Sequence, residues 1–181
     1  YPYVGFLFVD DPALLDPALD AWLREGEPPV YVGFGSMAGA GPERALALLH
    51  DAIVARGRRC LVAAGSAGPL GAQPPPEGFF VVGEAPHHLL FPRVAAVVHH
   101  GGSGTTAAAL RAGVPQAVLP VMLDQFHHAY HLARAGLAPA APSLAKVTAE
   151  TLAAAIDRAL ALAAEPRRAM AERLEKSDAG P

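Results

Sequence analysis

Short runs in which nearly every position is apolar alternate along the chain with longer stretches whose apolar residues recur every three or four positions. The apolar runs fall at residues 30–35 (VYVGFG), 59–64 (RCLVAA), 79–83 (FFVVG), 95–99 (AAVVH) and 116–119 (QAVL). A strand covered on one side alternates apolar with polar residues, whereas a strand covered on both sides is apolar throughout. These five are predicted strands of the second kind. Residues 42–56 (PERALALLHDAIVAR) read as a helix with Pro42 and Glu43 in its first turn and Gly57 as its stop. Further helices are predicted over 103–112, ending at Gly113-Val114-Pro115, and over 124–135, ending at Gly136. Another is predicted over 148–164, opening on Thr148 with Glu150 and stopping before Pro166. Strand and helix in repeated alternation predict an α/β fold, a Rossmann-like parallel sheet with helices on both faces. All strand C-terminal ends then share one edge, where such sheets bind ligands. Residues 1–29 read as a linker region with a first helix, 30–175 as the main domain and 176–181 as a frayed tail. The stretch 65–78 (GSAGPLGAQPPPEG) reads as a surface loop.

Composition narrows the class. A length of 181 residues suits one domain. With 52% hydrophobic and 17% charged residues, the chain is too apolar to stay disordered. A net charge of −3 leaves no basic face for phosphate backbones, so no nucleic-acid partner is expected. The longest apolar candidate, 112–123, holds two prolines and a glutamine and falls short of the ~18 residues of a membrane span. The opening YPYVGFLFVDD has no basic residues ahead of its apolar part and does not read as a signal peptide. Cys60 has no intrachain cysteine to pair with, which fits a reducing, cytoplasmic location.

The most informative stretch is 97–106, VVHHGGSGTT. It runs from a strand through two histidines and three glycines to hydroxyl residues that open a helix. A helix start presents unpaired N–H groups and about half a positive charge, and glycines let an anion approach the backbone closely. His100 can add a charged hydrogen bond to a phosphate oxygen, and Ser103, Thr105 and Thr106 add hydroxyl donors. No lysine follows the glycines, and their spacing does not fit the G-x-G-x-x-G dinucleotide fingerprint. A second constellation, Pro120–Gln125 (PVMLDQ), follows the last strand. Asp124 there is either an ordinary helix N-cap or, with Gln125, an acceptor–donor pair suited to the vicinal hydroxyls of a sugar. Asp124, His128 and His131 at i, i+4, i+7, and His127 with His131, have spacings able to hold zinc. With no cysteine close in sequence, solvated helix histidines are the favoured reading and no metal is expected.

These residues together resemble the nucleotide-sugar-binding half of family-1 glycosyltransferases of the GT-B fold. The nearest flavour is the bacterial branch that includes sterol, macrolide and glycopeptide glycosyltransferases. The matching stretches are VYVGFGSM at 30–37, LLFPRVAAVVHHGGSGTTAAALRAGVP at 89–115 and LPVMLDQ at 119–125. The resemblance implies that His100, Gly102, Ser103, Gly104 and Thr105 cradle a donor diphosphate, with Ser36 near the phosphates. It implies that Asp124 and Gln125 hold the sugar hydroxyls. It also implies that Glu84, Ala85 and His87 form the base-reading loop, Glu84 standing where plant members keep a stacking tryptophan. The donor implied is a UDP- or dTDP-hexose, transferred with inversion and without a metal or other cofactor to a small lipophilic acceptor. The family's acceptor site and general base lie in a second, N-terminal domain. No catalytic residue is therefore expected here, and this chain alone is expected to be inactive. An epimerase of UDP-N-acetylglucosamine, or a separate nucleotide-sugar-binding subunit working with a partner chain, are the alternatives.

Overall fold

The computed structural model describes residues 8, 14–33, 42–64 and 75–178. Five short strands form one parallel sheet: β1 (Val30–Gly33), β2 (Cys60–Ala63), β3 (Phe79–Val82), β4 (Ala96–His99) and β5 (Gln116–Val118). Their order across the sheet is β3-β2-β1-β4-β5. The five predicted strands are all present; β2 to β5 are each shorter by one residue at one or both ends, and residues 34–35 of the first predicted strand lie outside the described residues. Every residue of β1, β4 and β5 is buried, as the continuous apolar runs require, whereas the edge strand β3 is only partly covered.

Alternate strand residues feed two cores. Val30, Val32, Cys60, Val62, Val98 and Ala117 face one side, packed with residues of α2 (Pro42–Ala52) and α6 (Ala149–Ala161). Tyr31, Leu61 and Val97 face the other, with α1 (Pro17–Arg24), α3 (His87–Leu90) and α4 (Ser103–Arg111). A third cluster joins Leu110 of α4 and Val118 of β5 to Leu132 of α5 (Asp124–Arg134), with Met170 and Leu174 of α7 (Ala164–Asp178) packed against it. Helices on both faces are thus confirmed. Burial in the first core pushes the Cys60 thiol pKa well up, which makes this cysteine an inert packing group. Among the described residues no helix is long and apolar enough to cross a membrane.

Helix ends carry several corrections. The helix expected over 42–56 ends at Ala52, and a 3₁₀ turn at Val54–Arg56 completes the run to Gly57, which takes φ +77°. Thr148 caps α6 as expected, but its capping-box partner is Thr151. The helix stops at Ala161, and the chain turns into a helix absent from the prediction, α7. Pro166 lies in the first turn of α7, where the missing N–H costs nothing. The expected fraying from Lys176 gives way to helix through Asp178. Arg167 anchors this corner: its guanidinium donates to the carbonyls of Gly113, Leu162 and Ala163.

Candidate functional site

β1 and β4 are neighbours, yet the chain leaves β1 toward β2 and leaves β4 toward β5 on the opposite side. That divergence opens a crevice at the strand C-termini, the usual ligand position in an open parallel sheet. His99 closes β4, in register with Gly33 of β1. The next residues make the turn into α4.

His99 is completely buried and engaged at both ring nitrogens. The Gly101 N–H donates to its Nδ1 at 3.1 Å, so Nδ1 is bare and the proton sits on Nε2. Nε2 then donates to Gln116 Oε1 at 3.0 Å. Burial drives the His99 pKa down to about 4 against the opposing bond from Gln116, helped by the charges of His100, His87 and His128. Gly101 takes φ +91°. A β-carbon there would lie 2.8 Å from Val118 Cγ1 and 3.3 Å from the Gln125 carbonyl oxygen, so only glycine allows the first turn of α5 this close.

His100 turns back over the start of α4. A β-carbon on Gly102, the N-cap of that helix, would meet His100 Nε2 at 2.6 Å. The opposite ring nitrogen, Nδ1, is buried with no partner among the described residues, as is the Thr106 hydroxyl. The first turn of α4 has no capping side chain and no acidic residue. Ser103 and Gly104 are exposed there and Thr105 is half-buried, and a β-carbon on Gly104 would meet nothing within 4 Å. His100, Gly102, Ser103, Gly104 and Thr105 thus converge on one open helix start. Ser36 lies outside the described residues.

Asp124 is the first residue of α5, and Leu123 holds the N-cap position. The N-cap alternative for Asp124 is therefore corrected. Its carboxylate is exposed and has no hydrogen-bond or ion-pair partner among the described residues. Gln125 is braced: its Oε1 accepts from the Val121 and Met122 N–H groups at 2.8 and 3.1 Å. That brace holds a turn in which Leu123 takes the left-handed φ of +46° with its side chain 82% exposed. With the oxygen engaged, Gln125 has only its Nε2 donors to offer, so the expected acceptor–donor pair becomes an acceptor, Asp124, beside a donor, Gln125.

Glu84 is exposed and Ala85 half-buried after β3. The His87 ring stacks on Phe91 with centroids 4.4 Å apart, and its Nε2 meets the Tyr31 hydroxyl at 3.2 Å. Burial lowers the His87 pKa and pushes that of Tyr31 up to about 12. Gly33 makes the contact possible, because a β-carbon there would stand 2.6 Å from the Tyr31 hydroxyl. One ring face of His87 is therefore occupied, and the residue braces the 84–87 loop against β1.

His128 departs from the solvated reading: it is half-buried, and its Nδ1 donates to the Gly101 carbonyl at 2.7 Å. His127 and His131 have ring centroids 4.2 Å apart. Among the described residues no group of three or more His, Cys, Asp or Glu could hold a metal ion. The bond between His99 and Gln116 and the partner of His128 are not given by the motifs or their spacing. The available signal was polar residues in strands otherwise wholly apolar, since a buried polar side chain needs a partner.

The sheet with its glycine turn at the crevice is one half of a GT-B glycosyltransferase fold. The chain is similar to the solved structure of glycosyltransferase VinC in complex with dTDP, at 28% identity and a TM-score of 0.64, covering 94% of this chain and 42% of that one. Residues 60–180 match the model of the erythromycin biosynthesis protein CIII-like, C-terminal domain, and the chain belongs to that family. Among curated relatives, it is 45% identical over 135 residues to the vancomycin aglycone glucosyltransferase of Amycolatopsis orientalis, covering 74% of this chain and 32% of the relative. It is 38% identical over 157 residues to the sterol 3-beta-glucosyltransferase UGT80B1 of Arabidopsis thaliana, covering 84% of this chain and 25% of the relative. The chain thus spans a quarter to a third of the length of these relatives.

Proposed function

We propose that this domain binds the nucleotide-sugar donor, a UDP- or dTDP-hexose, of a glycosyltransferase that inverts the anomeric centre. The observation that carries this reading is the His100 imidazole, held over the Gly102 N-cap of α4 at a helix start free of side-chain caps. Three elements of positive potential coincide there: the unpaired N–H groups of the first turn, the helix dipole and the imidazole. An unpaired buried nitrogen such as His100 Nδ1 costs on the order of 1–3 kcal/mol, a cost consistent with a ring held in place for a ligand.

The chemistry follows from the donor. An acceptor hydroxyl oxygen bonds to the anomeric carbon, and the bond from that carbon to the diphosphate oxygen breaks with its electron pair on the diphosphate. The acceptor proton passes to a base outside this domain. Charge growing on the leaving diphosphate is met by the α4 N–H groups and by a ring N–H of His100, a preorganised arrangement that strengthens as charge develops. The transfer is proposed to proceed without a metal. Asp124 accepts from one hexose hydroxyl while Gln125 Nε2 donates to another. Similarity to a sterol 3-beta-glucosyltransferase favours a lipophilic acceptor. On this reading the domain alone binds donor and does not turn it over.

Calorimetric titration with UDP, dTDP and GDP is the test. Binding of UDP or dTDP is expected, weakened about ten- to a hundredfold in His100→Ala if a charged hydrogen bond of ~1.5–3 kcal/mol is lost. No binding of UDP or dTDP at millimolar concentration overturns the proposal.

A further inference from the structure

The Gly101 peptide is gripped from both ends by histidines in opposite proton roles. Its N–H donates to the bare Nδ1 of His99 at 3.1 Å, and its carbonyl accepts from the Nδ1–H of His128 at 2.7 Å. The first grip comes from within the turn that leads to α4. The second comes from α5, the helix that carries Asp124 and Gln125 at its start. Contact at Gly101 is also close enough to leave no space for a β-carbon between it and the Gln125 backbone. Gln125 continues the path outward through its bonds to Val121 and Met122.

From this we infer that His128 is a positioning residue that registers the sugar-holding start of α5 against the phosphate-holding start of α4. The inference rests on the donor reading above and adds a residue that touches neither ligand part. Without the His128 bond, α5 meets the turn only by packing. A few tenths of an ångström of slip then carries Asp124 and Gln125 out of line with a hexose whose diphosphate is already seated. Hydrogen bonds to sugar hydroxyls are steep in distance and angle, so the slip penalises the hexose and leaves the diphosphate almost untouched. A packing defect without registry would weaken both ligand parts alike.

Two substitutions separate these cases. His128→Leu keeps bulk and removes the donor. His128→Asn keeps an N–H₂ group close to where Nδ1 stands, and so keeps a donor for the Gly101 carbonyl. The quantity to read is the ratio of the Kd for UDP-glucose to the Kd for UDP, measured on the whole chain. In His128→Leu the ratio is expected to rise about fivefold or more, the lower end of ordinary coupling between sites, while the Kd for UDP moves less than about threefold. His128→Asn should restore the ratio. A ratio unchanged in His128→Leu, or equally raised in both variants, overturns the inference and leaves the donor reading standing. If the unmodified chain binds dTDP in place of UDP, the same ratio is read with dTDP-glucose and dTDP; failure to bind either nucleotide overturns both. Should His128→Leu not fold, the ¹⁵N shifts of the His128 ring in the unmodified chain decide: a protonated Nδ1 is expected, and a bare Nδ1 refutes the grip.

Discussion

The glycines that follow His100 divide by what surrounds them. At Gly102 a methyl group would strike the His100 ring edge, the movable end of a side chain. Gly102→Ala should therefore displace the imidazole and lower UDP affinity about as much as His100→Ala, on the order of tenfold or more, with little change in melting temperature. Gly104 is the converse: it sits inside α4 with open space where its β-carbon would be. Gly104→Ala should stabilise the fold by up to ~0.5–1 kcal/mol through helix propensity. The same methyl would occupy space that a phosphate needs, so affinity should fall as the melting temperature rises. Calorimetry and thermal unfolding of the two variants check both. The open helix start is legible in HHGGSGT alone, because glycines at a strand-to-helix turn leave its first N–H groups uncovered. The polarity of Gln125 is not legible in the same way. It depends on which backbone N–H groups come within reach of its oxygen, and those are positioned by the Leu123 turn.

At the scale of elements, strands β4 and β5 are linked by more than their ladder. The His99–Gln116 bond crosses between them in a fully buried layer and orients the imidazole that supports Gly101. Gln116→Leu leaves the Nε2–H without an acceptor, and a cost of ~1–3 kcal/mol is expected in urea unfolding. Nucleotide affinity should fall in the same variant, since the ring is then free to change tautomer and release the Gly101 N–H. Helix α7 shows the opposite relation between sequence and element. Its sequence, AEPRRAMAERLEKSD, is strongly charged and carries few apolar residues, so no wide hydrophobic stripe announces it. It forms because Met170 and Leu174 complete a small cluster and because Arg167 collects the carbonyl oxygens of Leu162 and Ala163, just before the helix, and of the distant Gly113.

For the whole molecule, the buried histidine ties stability to pH. In an unfolded chain His99 titrates near 6.5, and in the fold its pKa lies near 4. Between those values the unfolded state binds a proton that the folded state refuses. Stability is therefore undiminished above about pH 6.5, falls on acidification through this window and levels off below about pH 4. At 1.36 kcal/mol per unit the loss from His99 reaches about 2 kcal/mol by pH 5. The lowered pKa of His87 acts in the same direction. Urea midpoints at pH 7.5 and pH 5 measure the effect, and equal midpoints would show that His99 takes up its proton without leaving its site.

Five strands, their parallel pairing and the glycine turn between a strand and a helix follow from local pattern. Apolar runs without alternation have to be covered on both sides, and a glycine-rich run between a strand and a helix has to turn tightly. The partners of His99, Gln116, His128 and Gln125 belong to another level. Their partners lie from two to 27 positions away, and the two bonds that cross between elements, His99 with Gln116 and His128 with Gly101, span 17 and 27 positions, beyond what linear spacing encodes. A histidine is acceptor, donor or cation according to the group that meets it. The pairing of β4 with β5 fixed the role of His99, and the packing of α5 against the turn after β4 fixed that of His128.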